Sequence, residues 1–157
     1  MTRTTAAILM AASLMATSAH AVTVWQGEAI IDAATAACST IPGAAIKADS
    51  VVRTVIKPKN VTGNSNVTSV SFVANGLAMF AIVLDAGASG TAAGFGHTAS
   101  GVLKPNIVIP YSQFVQSPAT VTTATPDITL SGRIQDFLFQ PNCDVTFRAA
   151  YSKRNGS

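Results

Sequence analysis

Apolar and polar residues alternate with a period of two over several stretches of this chain. In Ser50 to Lys57, Val52 and Ile56 share one face and Arg53 and Lys57 the other, which is the pattern of a strand with one side in water. The next run sets Thr68, Val70, Phe72 and Ala74 against Val67, Ser69, Ser71 and Val73. Asn75-Gly76 follows it, the dipeptide that best tolerates positive φ at both central positions of a type I′ turn, so a hairpin to Leu77–Leu84 is predicted. Leu77–Leu84 is apolar on both faces. A strand with one wet face cannot be, so this one is either covered on both sides or meets a partner. Near the end of the chain, Val145, Phe147, Ala149 and Tyr151 alternate with Asp144, Thr146, Arg148 and Ala150, the clearest two-residue period present.

Other segments are less regular. Val22 to Ile31 opens with β-formers and turns alanine-rich towards Cys38; it favours a strand but allows a short helix near residues 28–38, because Ile30, Ala34 and Cys38 fall at helical spacing. Residues 86–101 carry five glycines and read as a loose loop. Ile107-Val-Ile109 suggests a short strand bounded by Pro105 and Pro110, and Ala119 to Thr125 a Thr-rich edge strand. After Pro126, Ile128 and Leu130 share a phase that Phe137 and Phe139 do not, which predicts a bulge or bend near Gly132 to Asp136. The expected fold class is all-β, an antiparallel β-sandwich or a small closed β-barrel of about 7–9 short strands.

Composition adds an address. Arg3 precedes the apolar stretch Ala6 to Ala16, which is too short to span a bilayer, and Ala19-His20-Ala21 offers the small-x-small pattern that signal peptidase accepts. Residues 1–21 are therefore expected to be a cleaved secretory signal, with 22–157 a single all-β domain, secreted or periplasmic. Residues 22–157 contain 25 Val plus Ile against 5 Leu, with 14 Thr, a balance that suits pleated sheet. With 48% apolar and 11% charged residues, the chain is not a disordered one. Ten Lys/Arg stand against seven Asp/Glu and read as spread along the chain, so no nucleic-acid partner is expected. Export and an even cysteine count predict a Cys38–Cys143 disulfide.

Candidate chemistry is sparse. His97 is the last histidine after processing and lies in Gly94-Phe-Gly-His-Thr98, with no Gly-x-Ser-x-Gly elbow to supply a nucleophile. Two cysteines and one histidine cannot complete a zinc site, so no metal and no cofactor is expected. Glu28 and Asp32 would face one side together only on a helix, and Asp136, flanked by apolar residues, is expected to pair with Arg133. The reading that results is an exported, non-enzymatic β-domain that acts by protein contact or self-association. Its expected interaction surface comprises Leu77, Met79, Phe80, Ile82, Leu84, Phe95 and His97. The alternatives are a small barrel carrying an apolar ligand, with Phe80 lining its cavity, a hydrolase using His97, and a small outer-membrane barrel; no membrane span is expected in the processed chain.

Overall fold

The computed structural model describes residues 23–58, 68–74, 78–84, 88–98 and 100–155. Met1 to Val22, and with them the expected signal sequence, lie outside the described residues. Eight antiparallel strands follow one another around a closed barrel: β1 (Thr23–Ala34), β2 (Val51–Pro58), β3 (Thr68–Ala74), β4 (Ala78–Leu84), β5 (Gly90–His97), β6 (Leu103–Ser117), β7 (Asp127–Ile134) and β8 (Val145–Asn155). Each strand pairs with its neighbours in sequence, and β8 closes on β1, with Ala29 opposite Ala149. Of the two expected architectures, the barrel is the one formed. Closure removes the exposed edges that a short open sheet would leave.

The two-residue period decides which residues fill the barrel. Trp25, Ala29 and Ile31 of β1, Val52 and Ile56 of β2, Val70 and Phe72 of β3 and Phe147 and Tyr151 of β8 are buried, as the alternation requires. The interior is packed with rings. Phe72 stands edge-on to Phe137 and Phe147 at centroid separations of 5.3 and 5.2 Å, and Phe114 contacts Phe147 at 5.7 Å. Gly132 makes room for that arrangement, since a Cβ there would lie 2.6 Å from the Phe114 ring.

One end of the barrel is closed by two stapled loops. The segment after β1 forms a 3-10 turn (Ala36–Thr40), and a second (Phe137–Phe139) follows β7. Cys38 and Cys143 join them as a disulfide with Cα atoms 4.6 Å apart. Thr35 strengthens the junction: its hydroxyl donates to the Asn142 carbonyl at 2.6 Å and accepts from the Asp144 amide at 3.0 Å. The second loop carries positive φ at Asp136, Leu138, Phe139 and Asn142, a conformation that costs about 1–3 kcal/mol per bulky residue and needs such restraints. The disulfide is compatible with an extracellular or periplasmic protein.

Four expectations need correction. The helix allowed near 28–38 is strand as far as Ala34, and helical geometry begins only at Ala36. The glycine-rich loop is largely β5, and its glycines explain why: a Cβ on Gly96 would meet the Met79 carbonyl oxygen at 2.0 Å, so the lack of a side chain lets β5 lie against β4. The strand expected to stop at its prolines is the 15-residue β6. Pro105 sits where the β5 register shifts, and Pro110 turns its carbonyl away from β5 to accept from the Gln135 amide at 3.0 Å, so neither proline removes a needed donor. The Thr-rich segment 119–125 is no strand but part of the connection across the other barrel end.

Of the bulge or bend predicted near Gly132 to Asp136, the bend is the one formed, at Gln135 and Asp136. Ile128, Leu130, Gly132 and Ile134 stay in phase to the end of β7, and the chain then leaves the sheet and tucks Phe137 into the barrel mouth. The Asn75-Gly76 turn lies outside the described residues, although the strands it joins pair as the hairpin requires, Ala74 opposite Ala78.

Candidate interaction surface

Strand alternation divides the apolar residues of Leu77–Leu84 between two environments. Phe80 and Ile82 are fully buried inside the barrel, where Phe80 contacts Phe137 and Phe139 at 5.3 and 5.1 Å. Met79 takes the opposite phase and is half-buried, opposite His97 of β5. Leu84 ends β4 opposite Thr68, and Leu77 lies outside the described residues. The two-faced apolar pattern thus has one half in the core and one half on the outer wall.

The outer half continues onto β5 and β6. Phe95 stands opposite Ala81 and is 41% exposed. On β6, Leu103 faces His97 and Val108 faces Ala93, so both share the outward side with Phe95; they are 72% and 68% exposed. Ala81 is buried although its phase points outward. Met79, Phe95, His97, Leu103 and Val108 therefore form one patch over three adjacent strands. Of the expected surface residues, Met79, Phe95 and His97 are brought together there, whereas Phe80 and Ile82 belong to the core.

Leu103 was missed in the sequence because the prolines made its strand look short, and Val108, within the strand that was read, because its neighbour β5 was read as a loop. A usable signal was nonetheless present. The cationic residues are not evenly spread: from residue 61 to residue 126 the only charged side chains are Asp85 and Lys104. In the barrel, that interval supplies β3, β4, β5 and β6. The other four strands carry exposed Glu28, Asp32, Arg53, Arg133 and Arg148, with Arg148 3.1 Å from Asp32 and Arg133 2.6 Å from Asp144. Arg133 thus pairs with Asp144 and not with Asp136, whose Oδ1 accepts the Asn142 amide at 2.8 Å.

The candidate chemical groups are placed as parts of the wall. His97 ends β5, with Nδ1 3.3 Å from the Thr98 carbonyl oxygen, and the nearby Ser100 hydroxyl is engaged with that of Thr98 at 2.9 Å. Among the described residues no group of three or more His, Cys, Asp or Glu could hold a metal ion. Inside the barrel, the Thr54 and Tyr151 hydroxyls lie 3.1 Å apart. Burial pushes the Tyr151 phenol well above its ordinary range, against the smaller downward effect of the Thr54 hydrogen bond. On the charged side, a shallow groove of about 890 Å³ crosses the outer wall between Val115, Thr129, Ser131, Ala150, Ile30 and Val51.

These features define the class of the protein by its fold, a closed eight-stranded antiparallel barrel with a packed interior and one apolar, nearly uncharged side. No protein-family model, no curated protein and no solved structure matches the chain.

Proposed function

We propose that the chain is an exported protein that acts by contact and not by catalysis, through the outer patch of β4, β5 and β6, and that its partner is another protein surface. The observation that carries this reading is the row of Phe95, Leu103 and Val108, exposed side by side on a side of the barrel whose strands β3 to β6 carry one charged residue, Lys104. These three outward residues together expose roughly 300–350 Å² of surface, within the range of the largest patches on soluble monomers, which are often functional. The Ala6 to Ala16 stretch, the Ala19-His20-Ala21 site and the disulfide support export.

The rings that fill the barrel speak against a carrier of an apolar ligand, since Phe72, Phe80, Phe137 and Phe147 occupy the space such a ligand would need. A lipid-spanning barrel is apolar outside and polar inside. Here the core is apolar and Glu28, Asp32, Arg53 and Arg148 face outward on one side, neither of which suits a lipid-spanning barrel. The test is the binding of an apolar dye such as ANS to the native protein, followed together with light scattering. Dye bound at the patch, or self-association that hides it, supports the reading; a monodisperse monomer that binds no dye overturns it.

A further inference from the structure

From residue 22 onward the chain holds one methionine, Met79, and one histidine, His97. The β4–β5 register sets the two directly opposite each other on the outward side of the wall. Residues paired across antiparallel strands point to the same face with Cβ atoms about 4.5–5.5 Å apart, and the rotatable bonds of methionine let its sulfur reach the ring of its partner. Both side chains are half-buried. The His97 Nδ1 lies 3.3 Å from the Thr98 carbonyl oxygen, which can only accept, so this contact holds the ring proton on Nδ1 and leaves Nε2 with its lone pair. A ring N–H tied to a carbonyl in this way is the usual support of a histidine that binds metal through its other nitrogen.

We propose that Met79 Sδ and His97 Nε2 form a binding site for Cu(I), bridging β4 and β5 on the outer wall. The surroundings select the ion. Val73 stands beyond Met79 and Leu103 beyond His97 in the same cross-strand row, and Phe95 lies next along that face of β5, so the rim is apolar. Strands β3 to β6 carry no carboxylate, which leaves Ca²⁺ and Mg²⁺ without the oxygen ligands they require. Zinc takes thiolate, imidazole and carboxylate ligands, and here both cysteines are engaged in the disulfide. The soft donor that remains is a thioether, which favours Cu(I), and imidazole suits copper as the second ligand. The expectation of no metal rested on the cysteines and the histidine; the thioether enters only through the β4–β5 register. The site goes beyond the contact reading and does not depend on it.

The test is competition for Cu(I) between the processed chain and bicinchoninate, a chelator whose Cu(I) complex is coloured, without oxygen and with ascorbate present. The expected result is withdrawal of one Cu(I) per chain, with both sulfur and nitrogen bound to the copper by X-ray absorption. Met79→Leu and His97→Asn should each weaken binding roughly tenfold or more, and excess Zn²⁺ should not displace the copper. If a variant fails to fold by circular dichroism, the X-ray absorption of the unaltered chain still decides. No withdrawal of Cu(I) overturns the inference, as does copper without a sulfur ligand, displacement by Zn²⁺, or unchanged affinity in either folded variant. Dye binding and light scattering test the contact reading separately, so the failure of one is distinct from the failure of the other.

Discussion

The Trp25 indole N–H donates to the Thr125 carbonyl oxygen at 3.0 Å, a buried hydrogen bond between residues 100 positions apart. It ties the start of β1 to the connection between β6 and β7, and the Lys153 ammonium, bonded to the Thr123 carbonyl, holds the same loop from β8. Trp25→Phe keeps most of the apolar volume but leaves the Thr125 carbonyl without its donor. The expected cost is about 1–3 kcal/mol, read as a lower denaturant midpoint with an unchanged slope by circular dichroism.

Gly132 and Phe114 are matched by size. Gly132→Ala places a methyl group where the Phe114 ring lies and should destabilise the barrel by about 1–3 kcal/mol. Phe114→Leu frees that space at its own cost. The double variant should therefore lose less stability than the two single losses added together, and strict additivity in a double-mutant cycle would refute the packing account.

The Cys38–Cys143 disulfide spans 105 residues. Replacing both cysteines with alanine should lower stability by about 2–5 kcal/mol, with the chain-entropy estimate near the top of that range. Differential scanning calorimetry measures the loss. The 137–144 region should show the largest local increase in hydrogen exchange, because the bridge restrains a loop with four non-glycine residues at positive φ.

Alkaline pH should unfold the barrel through Tyr151. Its phenol is held neutral by burial, so its folded-state value is raised above the unfolded value of about 10. The stability this contributes is fully present below about pH 10 and is lost as pH rises above it, because the unfolded chain then releases a proton that the folded one retains. Tyr151→Phe should flatten the fall in stability above about pH 10, measured by denaturant unfolding at successive pH values.

Much of the barrel was legible in the sequence, and the exceptions share a cause. β2, β3 and β8 were readable because each keeps strict alternation with one apolar face, the feature that a half-buried strand imposes. β5 was not, since Gly94 and Gly96 carry no side chain with which to mark a face; their role emerges only from the closeness of Met79 and Ile109. β6 was cut short because proline is read as a strand breaker, yet Pro105 and Pro110 occupy positions where an amide donor is not needed. Phe137 and Phe139 imitated a strand resuming out of phase, whereas they belong to a plug whose place is set by residues over 50 positions away, Phe72 and Phe80. The surface was half legible. The apolar outer face of β4 led to Met79, but its continuation through Phe95 to Leu103 and Val108 depends on the β5–β6 register, which no local pattern encodes.

The contact reading is tested most directly by Phe95→Ser combined with Leu103→Ser. Leu103 is 72% exposed and Phe95 41%, so the double variant should still fold, with a loss of about 1–3 kcal/mol, while dye binding at the patch and concentration-dependent association should both be lost. Unchanged dye binding and unchanged association in a folded double variant would contradict the account.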